Sequence, residues 1–467
     1  MANCEPLETY GILVILIVGA FIVVPILRGS RDAINAWNVL LLSIIVFTGF
    51  GSIEARYFEG FGWEWLNWYQ ASAQEVRWYM ITTTPFIIVL IASYYWNKPA
   101  KRFAQRHLNR WPDLSVPLVM SVLGFVTVLV VTSTFLRHVT FIGPLTFNLA
   151  WIAAPAGCVF TFALWDRNRV NVAWLLLFLG TFCASAMYAM VVSGGRRPIM
   201  AMFLGPILYI YGTYARHWSK TKLIASLAVA GALILSVGIV YSKFRWYSNT
   251  TREKRSVAGV LDQLKSAHSR GDLFSNFVRG RLTYLGENNA IMALITKRYV
   301  DQGMITPVPL NTLAFLITYP IPRKVWPGKP EQFGLVVPRD AAKVDSNWGL
   351  GIAGQGACEG GIAALMLYAF LIAIGVRILD EPLKLQPNNP FLVFMHATVL
   401  PHVAGLARGD IGTMVKESGQ GILATVILGV IGRALFGVSR KSPATQPPLK
   451  AVPNVRYTIA PGTRIQR

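Results

Sequence analysis

The chain has 467 residues, 54% of them hydrophobic and only 14% charged, with 44 Lys+Arg against 22 Asp+Glu for a net charge of +22. Such a composition is too apolar for a soluble globular protein and makes the bilayer its natural solvent. In a soluble chain the positive surplus would suggest nucleic acid; here membrane topology accounts for much of it, and no nucleic-acid partner is expected.

Apolar runs long enough for a helix to cross the hydrocarbon core, about 18–20 residues without a central charge, stand in chain order at 9–27, 36–53, 78–96, 115–136, 146–165, 172–192, 198–214, 223–241, 356–378, 390–407 and 420–438. They are apolar on every side and lack the alternation of barrel strands, so the expected fold is an all-α integral membrane protein of about eleven transmembrane helices. No Lys or Arg precedes the first run and no small-residue cleavage signal follows it, so no removable signal peptide is expected. The four cysteines, Cys4, Cys158, Cys183 and Cys358, are scattered and lack metal-ligand spacing.

Charge sorts the loops. With the N-terminus outside, the inner segments hold 20 Lys+Arg against 5 Asp+Glu, while the short outer segments hold 7 against 8. This split follows the positive-inside rule and places the C-terminus in the cytoplasm. The domains expected are a membrane domain at 1–241, a large periplasmic loop at 242–355 between helices 8 and 9, a second membrane part at 356–438, and a basic tail at 439–467. Within the first part the aromatic loop Glu54 to Trp78 is expected to lie along the headgroup layer. Phe274 to Val300 has helical periodicity and is expected to lie on the rest of the protein, while six prolines from Pro307 to Pro330 break regular structure after it. The Pro-rich tail carries no acids and suits anionic lipid.

Candidate chemistry gathers in the outer segments. Arg196 and Arg197 stand in SGGRRP, where the glycines permit a tight turn and Pro198 suits the first turn of a helix. They are either an anion site, since a guanidinium fork fits phosphate oxygens, or helix-end residues held by headgroups. Arg279 and Arg281 stand in FVRGRLTYLGENN, and Arg323, Lys324 and Lys329 in YPIPRKVWPGKP; each patch is a solvated face unless the patches converge. Glu359 in GQGACEGGI is a general base or half of a structural ion pair. Arg408 and Asp410 form ARGD, and His402 lies about two helical turns earlier, either as a base or as a packed histidine. The sequence holds no P-loop, no dinucleotide fingerprint, no HExxH and no paired-acid metal motif, so neither cofactor nor metal is expected. An external reaction without nucleotides needs an activated substrate already in the membrane, and a lipid pyrophosphate would supply the leaving group.

The ordered set SGGRRP, RGRLTYLGENN, YPIPRKVWPGKP, NWGLGIAGQGACEGGI and ARGD resembles the oligosaccharide repeat unit polymerases, also called O-antigen polymerases. The likeness covers the outer faces between Ser193 and Asp410, while the first six spans match in hydropathy alone. It implies a multi-pass protein of the bacterial inner membrane that joins undecaprenyl-pyrophosphate-linked oligosaccharides. A chain-length regulator and a flippase are the implied partners, with lipid around it. Carried onto this chain, Arg196, Arg279 or Arg281, Arg323, Glu359 and Arg408 would line the site; many relatives follow the Glu359 position with an aromatic and Asn-Phe-Gly, where this chain has Gly-Gly-Ile. The expected catalytic residues are Glu359, His402 and Arg408, and the expected substrate-binding residues are Arg196, Arg197, Arg279, Arg281, Arg323, Lys324, Lys329 and Asp410. A glycan ligase, a flippase or transporter, and a structural assembly protein are the rival readings.

Overall fold

The computed structural model describes residues 4–29, 32–56, 70–108, 111–136, 139, 142–189, 196–219, 221–226, 229, 289–344 and 346–437. Among them the regular structure is helical and no strand occurs. The helices are α1 (Glu5–Leu27), α2 (Ala36–Glu54), α3 (Ala73–Trp96), α4 (Lys98–His107), α5 (Val116–Phe135), α6 (Ile142–Arg167), α7 (Val172–Tyr188) and α8 (Arg196–Thr213). After the gap come α9 (Asn289–Asp301), α10 (Asn311–Thr318), α11 (Phe333–Asp340), α12 (Gly351–Cys358), α13 (Gly361–Leu385), α14 (Pro390–Val403) and α15 (Ile411–Phe436).

Seven of the described helical segments are long and apolar enough to cross a membrane: α1, α2, α3, α5, α13, α14 with its following turn, and α15. α6, α7 and α8 stand where the hydropathy expects further spans, and most of the span expected at 223–241 lies outside the described residues. Burial separates the helices by place. The segment from α14 to Arg408 is 89% buried and forms the centre, packed by α8, α15 and α6, whereas α1 is 17% buried and turns Ile12, Leu13, Leu16 and Ile17 outward, as a lipid-facing helix does. At the start of α14, Phe391 stacks on Trp111 at 5.3 Å between ring centroids and stands edge-on to Phe160 at 4.8 Å.

Two boundaries differ from the hydropathy reading because caps decide them. α3 starts at Ala73, ahead of the expected 78, because Ser72 and Glu75 form a capping box, each side chain bonding the other's backbone N–H. α15 starts at Ile411, ahead of the expected 420, because Asp410 caps it by accepting from the Thr413 N–H. The expected span from 356 is divided: α12 ends at Cys358, and Gly360 and Gly361, with φ +100° and +72°, turn the chain before α13. The described part of the Phe274–Val300 segment is α9. It is buried on every side from Asn289 to Thr296 and packs against α12, α3 and the end of α2.

At the end of the bundle where α13 finishes, Asp380 ties three helices. Its carboxylate accepts from the N–H groups of Ala36 and Trp37 at 2.8 and 3.2 Å and from the Tyr94 hydroxyl at 2.8 Å. Trp37 stacks on Tyr94 at 3.9 Å, and the Arg377 guanidinium lies 4.9 Å over the Tyr94 ring. A buried carboxylate at a helix N-terminus satisfies orphan N–H groups and meets the positive end of the helix dipole. The functional candidates gather at the other end, where α13 and α15 begin and α14 finishes.

Candidate functional site

Glu359 sits in the break between α12 and α13 with 1% of its surface exposed. Its oxygens accept from the Thr312 N–H at 2.8 Å, the Thr312 hydroxyl at 2.6 Å, Gln355 Nε2 at 3.1 Å and the Tyr368 hydroxyl. All four donors are neutral, and no arginine among the described residues pairs with it. A carboxylate so enclosed and saturated joins α10, α12 and α13; it has no lone pair directed at a substrate. Gln355 extends the network, accepting with Oε1 from the N–H groups of Asp410 and Ile411, both at 3.0 Å. The motifs GQGACEGGI and ARGD thus meet through one carboxamide.

The ARGD turn is seated by glycine. At Gly409 (φ +88°) a Cβ would stand 2.5 Å from the Gly351 nitrogen, and at Gly349 one would stand 2.6 Å from Arg408 Cγ, so the arginine stem lies flat on backbone. Asn289 at the start of α9 donates to the Arg408 carbonyl at 2.6 Å, and Ser43 of α2 accepts from the Ala407 N–H at 3.3 Å. Asp410 is itself at φ +78°, and burial pushes its carboxyl above the usual carboxylate range while its bonds from Thr413 pull the other way. Its side chain serves the α15 N-terminus.

A second cluster joins three helices. Arg197 of α8 donates from Nη1 to Glu417 Oε2 of α15 at 2.7 Å, and Nδ1 of His402, on α14, lies 2.8 Å from the same oxygen. A third forms over Tyr319. Lys329 holds its Nζ by donating to the carbonyls of Tyr319 at 3.2 Å and Ile321 at 2.7 Å, and stands 5.6 Å from the Tyr319 ring centre; Lys416 Nζ stands 5.0 Å from the same ring. Burial, then the nearby charges of Arg323 and Lys416, push the Lys329 amine below the usual lysine range. Lys416 has only a loose approach of 3.9 Å to Glu417, whose carboxylate Arg197 and His402 already engage. Arg197 and Lys416 stand at Glu417, and Lys416 shares the Tyr319 ring with Lys329, so positive charge collects along this face in an arrangement that can bind an anion.

α15 is the common platform. Thr413, Lys416, Glu417 and Gln420 recur at helical spacing and form one polar stripe: Thr413 donates to Gln332 at 2.5 Å and Gln420 to the Tyr319 hydroxyl at 3.3 Å. Lys416 and Glu417 were missed in the sequence because 408–419 reads as a short outer loop, although their i, i+3, i+4, i+7 pattern with Thr413 and Gln420 is present there. Tyr319, Gln355, Thr312 and Tyr368 carried no signal, because uncharged polar residues in apolar segments are common.

Two of the remaining expected residues belong to the Pro-rich turn. Arg323 pairs with Glu331 at 2.9 Å, and Lys324 is exposed on the same Pro-rich turn. Arg196 opens α8, with its side chain outside the described residues, as are Arg279 and Arg281 altogether. Among the described residues no group of three or more His, Cys, Asp or Glu side chains could hold a metal ion. Compared with protein-family models, with curated proteins and with solved structures, the chain finds no match.

Proposed function

We propose that the chain is a membrane glycosyltransferase that joins undecaprenyl-pyrophosphate-linked oligosaccharide repeat units into a surface polysaccharide. The observation that carries this reading is the approach of Lys329 and Lys416 over Tyr319, on the same face of α15 as the Arg197–Glu417–His402 chain. A diphosphate needs several fixed cations, and its charge grows as it leaves, so cations gain in the transition state over the ground state. In this reading His402, whose Nδ1 lies 2.8 Å from Glu417 Oε2, serves as base. The acceptor hydroxyl gives its proton to His402, its oxygen bonds to the anomeric carbon, and the bond from that carbon to the pyrophosphate oxygen breaks with the electron pair leaving on phosphate. A single displacement inverts the anomeric centre. Glu359 holds α10, α12 and α13 in place, and Arg408 lies in the turn beside it.

This reading goes with the finer topology: eleven spans in the bacterial inner membrane, the N-terminus periplasmic, the C-terminus cytoplasmic, and the site on the periplasmic side. Deletion of the gene followed by gel analysis of surface polysaccharide tests it. A ladder that collapses to a single repeat unit supports a polymerase; full-length polymer that fails to reach its acceptor identifies a ligase, and loss of all external repeat units identifies a flippase.

A further inference from the structure

Next to the lysine pair runs a groove of about 480 Å³, between the Pro-rich turn and α11, that takes no part in the network around Glu359. Its volume falls in the range of about 300–1,000 Å³ usual for small-ligand clefts. One wall is polar and electrically balanced. Glu331 accepts from Arg323 at 2.9 Å and from Arg339 at 2.8 Å, Arg339 also pairs with Asp340 at 2.7 Å, and Asn311 donates to the Glu331 carbonyl at 2.5 Å. Of the charged residues, Arg323, Lys329, Glu331 and Asp340 line the groove, two cations and two carboxylates, and Arg323 and Asp340 keep 45% of their side-chain surface each open to solvent. The other walls are apolar, with Met304 and Val308 exposed and Phe333 behind them.

We propose that this groove is a subsite for neutral saccharide. A pyranose ring has apolar C–H faces and an edge of hydroxyls that both donate and accept, and it matches a lining with apolar sides and a row of donors and acceptors. A phosphate or uronate would face Glu331 and Asp340, whose charges Arg323 and Lys329 in the lining only balance. This gives Arg323, which the family resemblance places only among the residues lining the site, to the sugar. Lys329 lines the groove and reaches the Tyr319 ring, so saccharide and diphosphate subsites adjoin. The proposal rests on the glycosyltransferase reading for its physiological meaning, though not for its test.

Full-length protein in phosphatidylcholine nanodiscs is examined by saturation-transfer difference NMR with maltotriose, mannotriose and trigalacturonate. The neutral trisaccharides are expected to receive saturation at their C–H protons, and Glu331→Gln is expected to weaken the signal by about fivefold, as for losing hydrogen bonds along one wall. Val308→Trp, at an exposed position, fills the groove without touching the ion pairs and is expected to abolish the signal at an unchanged melting temperature. No transfer to either neutral trisaccharide, an undiminished signal in Val308→Trp, or stronger transfer to trigalacturonate overturns the proposal. Inorganic pyrophosphate, titrated separately by calorimetry, reports the lysine pair: its failure to bind removes the diphosphate reading and leaves a positive saccharide result standing.

Discussion

His402, Glu417 and Arg197 form a chain in which one carboxylate oxygen serves two partners, and each side chain asks for a different change. Glu417→Gln leaves a side chain of the same shape without the charge that stabilises an imidazolium, so transfer in membranes should fall and its pH profile should move; an unshifted profile would leave His402 a packing residue. Lys329→Ala and Lys416→Ala should each raise the barrier by about 2–4 kcal/mol if they hold the leaving group, read as loss of the polymer ladder with protein still in the membrane. Asp410 gives a pH test of stability. Its carboxyl is raised in the folded chain, so what it contributes is fully present below the unfolded value of about 3.9 and is lost as pH rises through the folded value. Asn caps helices and tolerates positive φ, so Asp410→Asn should raise the melting temperature at pH 7.5, and that gain should shrink on acidification. Equal gains at both pH values would show that burial of the charge is not what costs the wild type. These residues were unequally legible in the sequence: ARGD and the Glu359 segment stand out because charges beside apolar runs are costly, but which atoms they engage depends on Gln355, a neutral side chain from another turn.

Helices were more legible than their ends. Apolar length locates α1, α2, α3, α5 and α13 because hydropathy integrates over many residues, whereas the starts of α3 and α15 depend on single caps at Ser72 and Asp410. α9 shows the opposite limit: apolar and polar residues interleave along it, yet its first eight residues are buried, polar ones included, with Thr296 donating to its own helix at Met292 and Asn289 to Arg408. Asp380 is the strongest statement at this scale, since it reads as one charge of an inner loop and acts as the joint of α2, α3 and α13. Asp380→Ala leaves two buried N–H groups and the Tyr94 hydroxyl without their acceptor, and unsatisfied buried groups cost about 1–3 kcal/mol each. Thermal unfolding in detergent should show a drop of several degrees, larger than for alanine at the exposed Arg169, and an equal effect would mean that the joint adds no stability.

The described helices put Arg197, Lys329 and Lys416 at one end and the Asp380 joint at the other, and the proposed function depends on which end faces out. Positive charge supports one answer. The segments on the Asp380 side hold most of the short-loop Lys and Arg, and cytoplasmic loops retain such residues because translocating them is unfavourable. The described helices agree with that alternation: α13 runs from the Glu359 end to the Arg377–Glu381–Lys384 cluster, and α14 returns to His402. Val170, 92% exposed in the turn between α6 and α7, lies on the basic side; Val308, 46% exposed, lies beside the candidate site. In a background with the four native cysteines replaced, Val308→Cys should react with a membrane-impermeant maleimide in intact spheroplasts. Val170→Cys should react only once the membrane is opened. The reverse labelling would put the lysine pair in the cytoplasm, where a lipid-linked repeat unit already carried across the membrane could not reach it. Labelling of both positions in intact cells would mean that the number of crossings between α7 and α9 differs from the one the loop charges require.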